Sequence, residues 1–148
     1  MEPVLRFDLS AIPTDAVVKR ATLSLWVDSR SNTNSTPLQV YRLLRRWNEA
    51  EVTWNQYAAG QRWSQAGANL AGADYDAQVV AQTTLSAVAT WVNLDVTGAV
   101  QTWAQHPEQN AGLILKALSS VGVQYYFISS EYVGVGLRPM LTVVYQWP

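Results

Sequence analysis

The chain has 148 residues, 49% hydrophobic and only 14% charged, with seven Trp and seven Tyr set against two Phe. That length suits one compact domain, and a net charge of −1 supplies no long-range field to gather nucleic acid or an anionic membrane surface. With no cysteine, disulfides, thiolate metal sites and thiol chemistry are excluded together, and no apolar run is long enough to cross a bilayer as a helix.

Met1-Glu2-Pro3 leads straight into strand-like sequence with no basic and apolar leader, which fits a mature module, a fragment or a soluble protein. From Val4 to Ser10 the residues alternate, with Leu5, Phe7 and Leu9 on one face. After the turn Ile12-Pro13-Thr14-Asp15, residues Leu23, Leu25 and Val27 point one way and Thr22, Ser24, Trp26 and Asp28 the other, making Trp26 a candidate outward aromatic. A polar loop over 29–37 precedes a strand over 38–44. Trp47 and Trp54 then bracket the polar turn Asn48-Glu49-Ala50-Glu51-Val52-Thr53. Residues 60–76, rich in Gly, Ala, Gln and Asn, read as a long loop.

Further strands are expected over 79–85, 91–96, 112–118, 123–130 and 140–147, the last with Leu141, Val143 and Tyr145 facing inward. One short helix lies among them around residues 97–106. Asp95 or Thr97 can cap it, Val96, Val100, Trp103 and Ala104 recur at helical spacing, and His106-Pro107 stops it. Eight or nine short strands of this spacing predict an all-β fold: one antiparallel two-sheet β-sandwich over 1–148, of jelly-roll type.

The candidate chemistry is sparse. His106 is the single histidine and precedes a proline in a loop, so any triad or His-metal site would have to be built around it alone. Glu49 with Glu51, and Asp74 with Asp76, supply the residue types of a two-carboxylate glycosidase but read as turn and surface chemistry, so no enzyme is expected. Asp74 and Asp76 are also the candidate metal ligands, since Ca²⁺ takes loop carboxylates and carbonyls; the alternative is that they bond backbone N–H groups of their own turn. Arg42 and Arg46 share a face and carry forks suited to carboxylates such as those of uronic acids, or else pair with Glu49 and Glu51. Trp26, Tyr57, Trp63 and Tyr132 are the candidates for stacking on sugar rings, whereas Trp47, Trp54, Trp91 and Trp103 are expected in the core or over its ends.

Several segments, taken in order, carry a family resemblance: Leu5-Arg6-Phe7-Asp8-Leu9-Ser10-Ala11-Ile12-Pro13, Ala21-Thr22-Leu23-Ser24-Leu25, Val40-Tyr41-Arg42, Trp47-Asn48-Glu49 and Val52-Thr53-Trp54-Asn55. Asp74-Tyr75-Asp76, Leu94-Asp95-Val96-Thr97, Val100-Gln101-Thr102-Trp103, Gly112 to Lys116, Ser129-Ser130-Glu131 and Arg138 to Val143 continue it. Together they resemble the DNRLRE domains grouped with carbohydrate-binding module family 96. That resemblance implies a jelly-roll module of exported or cell-surface proteins, some of them similar to alginate-binding modules of polysaccharide lyases. It also implies one or two missing strands ahead of Leu5, hence an open N-terminal sheet edge suited to self-association. The expected function is therefore a non-catalytic extracellular module binding polysaccharide, including acidic glycans such as alginate. The alternative is an adhesive or structural subunit of a filament or surface assembly built by strand donation at that edge.

Overall fold

The computed structural model describes residues 2–118 and 122–147. Its longest element is β2, Val17–Arg30, in which buried Ala21, Leu23, Leu25 and Val27 alternate with Thr22, Ser24, Trp26 and Asp28. One edge of β2 carries β10 (Met140–Gln146) along its first half and β9 (Tyr125–Phe127) along its end, while β7 (Thr90–Asp95) occupies the other edge. These strands form the front sheet. The back sheet runs in the order β1 (Val4–Leu5), β8 (Leu113–Ala117), β3 (Thr36–Arg42), β6 (Ala81–Leu85), and all pairings in both sheets are antiparallel. Between β3 and β6 lies a small hairpin of β4 (Gln56–Ala58) and β5 (Gln61–Arg62).

The chain changes sheet between β1 and β2, β2 and β3, β6 and β7, β7 and β8, and β8 and β9, the alternation expected of a jelly-roll sandwich. Leu23, Leu25 and Leu94 of the front sheet meet Leu38, Val40, Leu85, Leu113 and Leu115 of the back sheet in one buried cluster. The single α-helix among the described residues, α1 (Thr97–Gln105), adds Ala99, Val100, Trp103 and Ala104 to it. Each fully buried Leu or Val here contributes roughly 1.5–3 kcal/mol by leaving water.

A second cluster lies on the far side of the back sheet. Leu43, Trp63, Ala68, Ala111 and Ile114 are buried there, with Tyr41, Trp47, Tyr57 and Tyr75 packed against them. Residues 44–80, where the sequence reading put a turn bracketed by Trp47 and Trp54 and a loop over 60–76, thus form a folded cover. That is why Leu113, Ile114, Leu115 and Lys116 are buried without alternation: both faces of β8 are covered.

Three local expectations change. The ladder of the first strand stops at Leu5, because the Phe7 carbonyl accepts from the Asn110 amide and Asp8 accepts the Ser10 N–H, although Leu5, Phe7 and Leu9 still pack on the core. Tyr145 is exposed at the end of the sandwich, where a bulge at Lys19 shifts the register and leaves it opposite Val18. The N-cap of α1 is Val96 and makes no side-chain bond; Asp95 instead accepts both the N–H and the hydroxyl of Thr97.

Since Leu115 lies between Leu38, Val40 and the front sheet, Leu115→Ala is expected to lower the unfolding free energy by about 2–5 kcal/mol. Urea unfolding followed by tryptophan fluorescence measures this.

Candidate functional site

With the back sheet covered, the open sheet face is the outer face of the front sheet. Register sets its residues in rows: Trp26 opposite Trp91, Ser24 opposite Asn93, Thr22 opposite Asp95. Rows two residues apart along a strand are separated by about 7 Å. The Trp26 and Trp91 rings meet edge to face, 5.4 Å apart and inclined by 76°, and both are half-buried. In that arrangement each ring holds the other in place while part of its surface remains wet. One row on, the Ser24 hydroxyl donates to Asn93 Oδ1 at 2.7 Å, so the Asn93 NH₂ is the end of the amide left to donate outward.

Beyond Asn93, along the edge of β7 that faces β6, opens a cleft of about 420 Å³. Gln82 and Thr83 line it from β6, and Asn93, Asp95, Thr97 and Gly98 from β7 and the start of α1. Asp95 Oδ1 is held by Thr97, at 3.0 Å from its N–H and 2.5 Å from its hydroxyl. Those two bonds, the hydroxyl first, hold the Asp95 carboxyl below its ordinary value, and the nearby Arg20 charge adds to the effect.

Of the candidate ligand-binding residues named from sequence, the strand register places only Trp26 on this face. Arg42 ends β3 on the back sheet and pairs with Asp76 at 2.8 Å, while Arg46 lies beyond the strand and donates to the Glu108 carbonyl at 2.7 Å. Neither pairs with Glu49 or Glu51, and they do not form one patch. Trp63 is only 6% exposed, its indole N–H on the Thr53 carbonyl, so it is a core residue of the cover rather than a stacking platform. Tyr57 packs against it at 5.4 Å with the Arg45 guanidinium 5.7 Å over its ring. Tyr132 is exposed in the loop before β10, where its carbonyl accepts from Arg138 Nε at 2.6 Å. The reverse correction concerns Trp54 and Trp91. Trp54 is 52% exposed, lying against Gly67, where φ is +79° and an added Cβ would sit 2.4 Å from its ring.

Asp74 and Asp76 face different partners. Asp74 is fully buried, and its carboxylate accepts the backbone N–H groups of Ser64, Gln65 and Leu70 at 2.8, 2.9 and 3.2 Å. Arg45 Nε stands 3.6 Å away, and its terminal nitrogen donates to the Ser64 hydroxyl. Asp76 holds Arg42 and the Gln78 N–H. Both carboxylates accept backbone N–H groups of nearby turns, the chemistry weighed from sequence beside Ca²⁺ binding. Among the described residues no group of three or more His, Cys, Asp or Glu side chains gathers to hold a metal ion. His106 is exposed and lies 3.5 Å from Glu108, and Glu51 accepts the Ala59 N–H. No described helix is long and apolar enough to cross a membrane.

Burial works to raise the Asp74 pKa, but the three N–H bonds and Arg45 outweigh it and keep the carboxyl below its ordinary value. A folded pKa below the unfolded one means that stabilisation is complete above about pH 4 and is lost as pH falls through the folded value. Asp74→Asn is expected to cost about 1–3 kcal/mol at neutral pH, and its deficit against the natural chain should shrink below about pH 4. Urea unfolding of both chains over a pH series checks it.

None of the curated proteins compared matches this chain. The family model described as the disaggregatase related repeat domain matches residues 1–143. That match overturns the resemblance to the DNRLRE domains: segments such as Leu5 to Leu9 or Val52 to Asn55 are short strand-and-turn patterns that a sandwich of either family can carry. The inference of missing leading strands rested on that resemblance and goes with it. By a match spanning nearly its whole length, the chain belongs to the disaggregatase related repeat domain family.

Proposed function

We propose that this domain is a non-catalytic module that binds polysaccharide on the outer face of its front sheet, working outside the cell. The outward-facing, partly exposed Trp26–Trp91 pair carries the proposal. Aromatic faces stack on the CH-rich faces of sugar rings, and the Ser24–Asn93 row and the polar cleft beside it supply the hydrogen-bonding groups that would orient hydroxyls. The carboxylates and the histidine considered from sequence are engaged elsewhere or exposed singly, which supports binding over catalysis. Trp91→Ala is expected to weaken binding to a retained polysaccharide about tenfold or more, the effect of losing a central aromatic anchor, while Trp54→Ala leaves it unchanged. Affinity electrophoresis of the three chains through polysaccharide-loaded gels reads this out; equal loss from Trp54→Ala would move the site to the cover of the back sheet.

Assembly remains the second reading, favoured by a different observation. At the N-terminal edge of the back sheet, β1 already pairs with Leu113 and Ile114, and Glu2 closes on Lys116 at 2.8 Å. The β10 edge of the front sheet is longer, and Val144 (55% exposed) and Trp147 (66%) stand beside it with Met140 and Val17. An apolar edge strand is a template for pairing, and the family is described as a repeat, so a second copy of the domain is the partner this reading takes. Light scattering across a concentration series should then show dimers or larger species that Val144→Lys abolishes; a monomer at every concentration would eliminate the assembly role.

A further inference from the structure

Resting on the polysaccharide-binding reading, the chemistry of the cleft narrows the ligand. We propose that the cleft beside Trp91 takes a neutral, hydroxyl-rich glycan and discriminates against uronates. Its polar side chains are two amides, Gln82 and Asn93, two hydroxyls, Thr83 and Thr97, and the carboxylate of Asp95. No basic side chain lines it among the described residues. Amides and hydroxyls both donate and accept, which matches sugar hydroxyls, whereas a carboxylate only accepts and so favours a ligand that brings donors.

A uronate chain threaded past Asp95 would set its own carboxylates against that fixed negative charge, and like-charge juxtaposition is the usual device for rejecting a competitor. The arginines with forks suited to uronates are engaged away from the cleft. Arg42 is neutralised by Asp76 on the back sheet, Arg46 is bound to the Glu108 carbonyl, and Arg30 donates to the Ser86 carbonyl. Arg20 stands on the outer face of β2, two residues before Thr22, and its charge acts on Asp95, but it does not line the cleft. The aromatic pair completes the match, since stacking by Trp26 and Trp91 needs no charge on the sugar.

The test is affinity electrophoresis of the full chain against neutral polymers (galactomannan, glucomannan, mixed-linkage β-glucan) and polyuronates (alginate, polygalacturonate), at about 50 and about 500 mM NaCl. The expected result is retardation by a neutral polymer that changes less than about twofold with salt, and retardation by the polyuronates that is measurable only at high polymer loading and at least about tenfold weaker. Asp95→Asn should then raise the ratio of uronate to neutral affinity about tenfold, a shift that a merely structural role for Asp95 would not produce. Retardation by a polyuronate comparable to or stronger than that by the neutral polymers, weakened by salt and by Arg20→Gln, would overturn the neutral-ligand inference while leaving the binding function in place. Failure of every polymer to retard the chain would overturn the binding function itself, and the inference with it.

Discussion

The buried carboxylate of Asp74 is the interaction on which the division of this molecule into a covered side and an open side depends. Three backbone N–H groups from two separate turns of the 44–80 segment converge on it, and Arg45 approaches from outside. A loop of this length, with little regular structure, has many backbone donors and few internal partners. One buried anion satisfies three of them and pins Ser64, Gln65 and Leu70 together. Trp63 can then sit on Ile114 and Leu43, and the back sheet loses its solvent face. What is left open to solvent is the outer face of the opposite sheet.

The open face is ordered by pairing rather than by local sequence. β2 runs the length of the front sheet and is flanked on both sides, so its outer residues are fixed in rows with those of β7. Trp26 and Trp91 are 65 residues apart by number yet sit directly opposite each other. The same register places Asn93 and Asp95 on the path from the aromatic pair into the cleft. Because Asp95 is tied to Thr97 at the start of α1, the cleft is bounded by an element that also buries Val100 and Trp103 in the core. Site and core are thereby coupled through one short stretch of chain.

Much of the fold is legible in the sequence. Alternation at Leu23, Leu25 and Val27, and helical spacing at Val96, Val100 and Trp103, reports which side of an element meets apolar surroundings, and those residues are buried as the spacing requires. The site is less legible, for reasons that are physical. Periodicity tells that Trp26 points away from the core but not which strand lies beside it, so Trp91, whose neighbours alternate less cleanly, reads as an interior residue. Trp63 and Asp74 read as surface residues because their burial depends on a cover with no period of its own. Arg42 and Arg46 make one patch only if β3 extends to Leu44 and the chain beyond it continues on the same face; β3 ends at Arg42, and Arg46 turns toward Glu108. Family membership is obscured for a related reason, since short strand-and-turn segments specify a sandwich before they specify which one.

The central claim is that the front sheet, and not the cover of the back sheet, meets the ligand. Backbone amide NMR during titration with an oligosaccharide cut from a retained neutral polymer tests it most directly. Shifts concentrated at Trp26, Trp91, Asn93, Asp95 and Thr97, with residues 44–80 unmoved, are the predicted result. Shifts centred on Trp54, Tyr57 and Arg62, with the front sheet unmoved, would contradict it.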